Sequence, residues 1–412
     1  MEPDISRRGN AVLLKGLIRD ASAIRRICAC LHQTISQRGF SDVVLDFSEC
    51  EAVTEAAMLP VIPQIVRYQE DEGILFRLTP PRRSDLYRLF ANANWSHFIQ
   101  PDRFDPTPTS ASHIPTRRYK SEAEAYTLLD EVLRFVTRGR SVGPDTLRAV
   151  EWSLNEIMDN VLTHAETDAG GFVQATVYET RIEFVVADSG VGVPASLGLR
   201  DHQFALRKAV LEGQTRNSVS YAGNGLFGTF ELARVSGGQF EIHSQNAYLY
   251  YDSLRDESSS RRVSVPLNGT SVRCAIGPRD ASLLSRALRF HGRAHEPLYD
   301  YMERTFGTEG GEMVFAVKEH AAGDLGSRRG GQRVRHVLEN MLSEQEHVIL
   351  DFSGVSIISS SFADEVFGRL FAELGPRSFM SRIVLRNVDP TIDGLIDRAI
   401  VQRTRLTEQQ NR

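Results

Sequence analysis

One short pattern occurs twice, near the two ends of the chain: Val43-Val-Leu-Asp-Phe-Ser48 and Val348-Ile-Leu-Asp-Phe-Ser353. In each, an apolar triplet runs into Asp-Phe-Ser, as expected of a buried parallel strand that stops at its C-terminal end. A loop and an amphipathic stretch follow both times, residues 56–69 and 362–374. A second strand-like run comes next, Ile74-Leu-Phe-Arg-Leu78 and Ile383-Val-Leu-Arg386. Strand, helix and strand within about 40 residues close as a right-handed crossover. The repeat therefore predicts a small α/β layer at each end, bracketing a different middle.

The middle begins after a proline-rich stretch, residues 101–115, with four prolines among small polar residues. Such a stretch cannot continue a helix or a central strand, and it reads as a linker. Residues 121–136 and 144–165 then read as helices, the second with Pro144 in its first turn. Strands are expected at 172–178, 181–187, 239–244 and 270–276. Two helices on one face of a mixed, mostly antiparallel sheet make a two-layer α/β sandwich. The Gly-rich run Gly307-Thr-Glu-Gly-Gly311 precedes a new strand, Met313-Val-Phe-Ala-Val317. The expected organisation is an α/β unit at 1–100, a linker at 101–117, the sandwich at 118–278, a helical connector at 279–307 and a second α/β unit at 308–405.

Composition narrows the function classes. The 412 residues are 41% hydrophobic and 25% charged, a globular balance. With 48 basic and 53 acidic side chains the net charge is −5. No bulk charge holds this chain to nucleic acid. No apolar run approaches the ~20 residues of a spanning helix, and the N-terminus lacks a signal-like apolar region. The expectation is no membrane and a cytoplasmic location. Four cysteines, Cys28, Cys30, Cys50 and Cys274, are too few for a disulfide framework. Cys28-Ala-Cys30 reads as a buried thiol pair on a helix, with metal binding as the alternative.

The chemistry lies in the middle. Leu147, Val150, Leu154, Ile157, Met158 and Val161 recur at helical spacing and form a core stripe. Glu156 and Asn160 are four apart and share a face roughly opposite that stripe. Alone, such a pair is a solvated polar face. Ile182, Phe184 and Val186 point one way along a strand, and Asp188 keeps their parity. A carboxylate is thus aimed inward just before Ser189-Gly190-Val191-Gly192, whose glycines let backbone approach a ligand. A buried Asp there can accept from an exocyclic amine, or simply cap the turn. A second cluster, Gly223-Asn224-Gly225-Leu226-Phe227-Gly228, opens a helix, and backbone amides at a helix N-terminus form an anion site. Gly269-Thr270 enters the last strand.

In this order the four pieces resemble the ATP-binding domain shared by gyrase, heat-shock chaperones, histidine kinases and MutL proteins, the GHKL family with its Bergerat-type fold. The resemblance covers residues 118–278 and implies ATP and Mg²⁺ as ligands. Asn160 would hold the metal ion, and Glu156 would orient or deprotonate the attacking group. Asp188 would read the adenine amine, with Gly190 and Gly192 lining the base. Gly223, Asn224, Gly225, Leu226 and Gly228 would cradle the phosphates, and Thr270 would complete the pocket. Residues 194–221 would be a lid, with Lys208 and Arg216 as its phosphate contacts. A small α/β unit and a linker stand where histidine kinases carry their phosphoacceptor helices, which disfavours autophosphorylation on histidine. His164 reads as structural.

The run from Leu350 to Glu365 resembles the STAS family, the fold of anti-anti-sigma factors, and the first 100 residues read as a diverged copy. Ser360 and Ser361 stand near that family's phosphorylated serine; the bland alternative is that serines here cap the following helix. In the first unit Thr54, Glu55 and Ala56 take those places. Two readings follow. One is a Mg-ATP-binding regulatory protein whose slow hydrolysis switches STAS-like interactions or assembly, as a homodimer or higher homo-oligomer. The other is an anti-sigma-type serine kinase acting in cis or on a STAS-domain or sigma-pathway partner. A scaffold with a degenerate site is the third.

Overall fold

Both Asp-Phe-Ser repeats end buried strands in the computed structural model. It describes residues 4–109, 113–139, 141–211, 213, 224–253, 255–277, 282–290, 292–295, 301–306, 308–309, 312–321 and 324–410. The chain divides into two units, Met1–Val132 with Trp152–Glu296, and Leu133–Glu151 with Pro297–Arg412.

The first unit opens with β1 (Asp4–Arg8), β2 (Ala11–Ile18), α1 (Ala21–His32), β3 (Asp42–Asp46) and β4 (Cys50–Val53). Then come α2 (Glu55–Met58), α3 (Ile62–Glu72), β5 (Leu75–Thr79), α4 (Ser84–Asn92) and α5 (Trp95–Ile99). The sheet runs β1-β2-β3-β5, with β4 beside the end of β2. β1 is antiparallel to β2, and β2, β3 and β5 are parallel. Asp20 caps α1 by accepting from Ser22 N and Ala23 N at 2.9 and 3.0 Å. The helix expected at 56–69 is broken, because Pro60 and Pro63 lack the amides a continuous helix needs. Cys28 and Cys30 sit on α1 and burial raises both thiols, Cys28 to about 12. Among the described residues no group of three His, Cys, Asp or Glu gathers around a metal position.

The central sheet holds β6 (His113–Tyr119), β7 (Gly171–Val177), β8 (Ile182–Ala187), β9 (Gln239–Asp252) and β10 (Glu257–Ile276), in the order β6-β7-β8-β10-β9. Every pair is antiparallel. β6 occupies the end of the expected linker. Its Pro115 falls at the register shift between Ile114 and Arg117, on the sheet edge where a missing amide is tolerated. Thr107 in that stretch is pinned too: its N donates to Asn94 Oδ1 at 3.0 Å, and Arg117 Nη1 donates to its O at 2.7 Å. β9 and β10 also extend well beyond the expected strands, as a long hairpin.

Two long helices, α6 (Glu122–Gly139) and α7 (Pro144–His164), precede β7. The six apolar residues of the α7 stripe are all buried, and Tyr119 of β6 donates to Met158 O at 3.2 Å. The opposite sheet face is covered as well. Phe172, Val185 and Ala187 join the core of the N-terminal layer, Trp95 Nε1 donates to Gln174 Oε1 at 3.3 Å, and Gln64 Nε2 to Asn268 O at 2.7 Å. The expected two-layer sandwich is therefore the half of a three-layer arrangement that carries α7. β8 is consequently buried on both faces. Burial alone would raise the Glu183 carboxyl on its far side, but Arg273 and Arg181 hold it below its ordinary value.

After β8 come α8 (Gly192–Ser196), α9 (His202–Ala209) and α10 (Gly225–Val235). Beyond β10, α11 (Leu283–Ala287) leads into a two-stranded hairpin, β11 (Arg289–Phe290) with β12 (Arg293–Ala294).

The second unit contains α12 (Tyr301–Phe306), β13 (Thr308–Glu309), β14 (Glu312–Ala316), α13 (Val317–His320), α14 (Arg328–Glu344) and β15 (Val348–Asp351). α15 (Ser360–Ala363) continues through a wider turn, Asp364–Gly368, into α16 (Arg369–Leu374). α17 (Pro376–Arg382), β16 (Ile383–Arg386) and α18 (Pro390–Gln410) close it. Its sheet, β13-β14-β15-β16, repeats the pattern of the first: one antiparallel pair, then parallel strands. The repeat extends to atoms. Ser48 N donates to Asp46 Oδ1 and Ser353 N to Asp351 Oδ1, both at 2.9 Å. Phe47 N reaches Thr79 O at 2.9 Å and Phe352 N reaches Arg386 O at 3.0 Å. Among the described residues no helix is long and apolar enough to cross a membrane.

Ser359 caps α15, its Oγ accepting from Phe362 N at 3.0 Å. Ser359→Ala should therefore cost about 1 kcal/mol in urea denaturation. An unchanged midpoint would remove the capping role.

Candidate functional site

Trp152, Glu156, Asn160 and His164 recur every fourth residue along α7 and line one cavity of about 340 Å³. Facing them are Val186 and Asp188 from the end of β8, Thr270 from β10, and Asn224, Gly225 and Leu226 from the start of α10. A volume of this order suits a small organic ligand.

Asp188 is 3% exposed. Gly190 N donates to its Oδ1 at 2.8 Å and its own amide donates to Thr270 O at 2.9 Å. The turn that follows is locked onto α7, since Val191 N donates to Ala165 O at 2.8 Å. Gly190 packs so closely on that carbonyl that a side chain would collide with it. Gly192 has φ +78°, and a Cβ there would stand 2.5 Å from Ser244 Oγ. Ser244, fully buried, ties the corner together: it accepts from Val193 N at 2.9 Å, donates to Gly269 O at 2.8 Å and lies 3.1 Å from Thr270 Oγ1. Both glycines are thus required by close backbone approach.

The start of α10 meets α7 directly. A Cβ at Gly225 would lie 2.6 Å from Glu156 Oε2 and 3.4 Å from Asn160 Nδ2. Glycine lets the helix N-terminus, with its unpaired amides, come against these two side chains. Asn224 Oδ1 accepts from Gly213 N at 2.9 Å. Gly228 faces the Trp152 ring.

Electrostatics mark the same residues. Burial raises the Asp188 carboxyl to about 7, outweighing the Gly190 and Thr270 amides that favour its anion. Burial, with Asp159 nearby, also raises Glu156 to about 7. Two carboxyls poised near neutrality in one cleft can exchange a proton or accept from an amine. The α10 amides suit an anion, and the Asn160 carboxamide beside Gly225 offers a neutral oxygen to a cation.

Of the site residues expected from sequence, Glu156, Asn160, Asp188, Gly192, Asn224, Gly225, Leu226 and Thr270 line the cavity. Gly190 and Gly228 sit just behind its wall. Lys208 lies in the last turn of α9 and is not in the lining. Gly223 and Arg216 lie outside the described residues. Ser360 and Ser361 are exposed in the first turn of α15, in the second unit. Sequence reasoning missed Trp152, Asp159, Ser244, Phe290 and His295. Helical spacing from Glu156 could have found Trp152 and Asp159; nothing local marks the other three.

A family model matches one segment of the second unit. Residues 330–393 match a STAS-like domain of unknown function (DUF4325). The matched STAS-like segment takes in β15, the Asp351 turn, Ser359 to Ser361 and β16. No curated protein matches the chain.

Proposed function

We propose that the chain is a Mg-ATP-binding regulatory protein, with a GHKL-type nucleotide site in its first unit and slow hydrolysis that switches its STAS-like segment. One observation carries this reading: a buried carboxylate, a carboxamide–carboxylate pair and a glycine-opened helix N-terminus line one cavity. The residues fit the group. Asp188 can accept from an exocyclic amine, and the α10 amides can receive phosphate oxygens. Asn160 would supply one ligand to a bound cation, and Glu156 would accept the proton of an attacking water. Mg-ATP, when bound, supplies a polarised terminal phosphate. α7 also carries Arg148, paired with Glu344 at 2.6 Å within the second unit.

Titration calorimetry tests the reading. Wild type should bind ATP in a Mg²⁺-dependent manner, and Asn160→Ala should weaken binding at least tenfold with the circular-dichroism spectrum unchanged. Equal affinity in the two proteins, or affinity indifferent to Mg²⁺, would reject the metal role. A serine-kinase reading has one observation of its own, the exposure of Ser360 and Ser361 within the STAS-like match.

A further inference from the structure

α7 gives the cavity two distinct ends. The Asp188–Gly192 turn is bonded to Ala165, beside His164. Trp152 lies three turns earlier, about 18 Å away along the helix axis. Glu156 and Gly225 fall between them. At the Trp152 end the wall is built by a segment that follows the central sheet. Phe290 and His295, both half-buried, come from the β11–β12 hairpin and its exit, and both line the cavity. Their rings lie 6.3 and 6.1 Å from Trp152 and 5.1 Å from each other, and Phe290 lies 6.1 Å from Phe227 of α10. The hairpin is anchored. His295 N donates to Leu288 O at 2.9 Å, and Leu288 is fully buried against Gly228.

Resting on the nucleotide reading, with the base at Asp188, the terminal phosphate points past Glu156 toward Trp152. We propose that Phe290 and His295 wall off this end and determine the acceptor: water is admitted and a protein hydroxyl is not. A protein serine must bring its Oγ to within about 3.5 Å of the γ-phosphorus, in line with the leaving oxygen, and carry its flanking backbone into the cleft behind it. The aromatic cluster fills the volume that backbone needs. A single water needs none of it. Its oxygen bonds to the γ-phosphorus as the bond to the β,γ-bridging oxygen breaks. ADP and inorganic phosphate leave, and the water's proton goes to the Glu156 carboxylate.

The probe is an ATP analogue carrying a phenyl ester on its γ-phosphate, compared with ATP on the full chain by calorimetry. Wild type should bind ATP at least tenfold more tightly than the ester. In the double variant Phe290→Ala/His295→Ala the gap should shrink below threefold. His295→Ala alone, at a half-buried position, should give part of the effect and guards against misfolding of the double variant. Wild type incubated with Mg-ATP should release phosphate and carry none on serine by mass spectrometry. Equal binding of ester and ATP by wild type overturns the proposal, as does an undiminished gap in both variants or phosphoserine on wild type. Failure of wild type to bind ATP at all is a different outcome: it overturns the nucleotide reading, and the proposal with it.

Discussion

Asp188→Asn should make the protein more stable near pH 8 and a worse ATP binder at any pH. The buried carboxyl titrates near 7 in the folded chain, against an ordinary value of 3.8. A raised folded-state pKa means that the native state binds the proton more tightly than the unfolded chain. Its stabilising contribution is complete below about pH 4 and is lost as pH rises through about 7. Asparagine is neutral throughout. The two chains should therefore be nearly equal near pH 4, with the variant ahead by up to about 4 kcal/mol near pH 8. Binding moves the other way. Gly190 N already occupies Oδ1, so the new amide group faces the ligand and meets the adenine amine donor to donor. A loss of at least tenfold follows. Urea denaturation at the two pH values and calorimetry decide it. A stability difference independent of pH would exclude Asp188 as the titrating group.

Glu156→Gln should leave ATP affinity within about threefold and cut turnover by about 10²–10⁴, the usual worth of a positioned base. The side chain keeps its shape beside Gly225 and loses only its basicity. In wild type the carboxyl must be ionised to accept a proton. Turnover should therefore climb with pH through about 7, where burial and Asp159 have set the carboxyl, and then level off. A variant retaining a tenth of wild-type phosphate release would need another base; Asp159, also raised by burial, lines the same cavity.

What could be read from the residues depended on whether their signal was local. The α7 stripe and the parity of Asp188 with Val186 were legible because period 3.6 and period 2 are written in adjacent letters. The Asp-Phe-Ser turn was legible because it occurs twice. β6 was not, because Pro115 looks like a break unless the strand is known to lie on an edge. The outer halves of β9 and β10 were hidden by Tyr248-Leu-Tyr-Tyr251 and Ser258-Ser-Ser260, which do not alternate in polarity. The third layer was hidden by Glu183, which reads as a solvent position and is instead paired with Arg273 at 2.8 Å. Phe290 and His295 reach the cavity only through tertiary packing. No spacing rule connects them to Glu156.

The cover on the far side of the central sheet changes what the first hundred residues are. A segment that looks like a detachable module, joined by a proline-rich tether, shares one hydrophobic interior with β7 and β8. It also holds Asn268, the neighbour of Gly269 and Thr270, through Gln64. The apparent boundary at residues 101–117 is a stitched seam. Its two sides must drift together in evolution, since any change in the shape of α3 or α5 is felt on the back of β7, the neighbour of the strand that leads into Asp188.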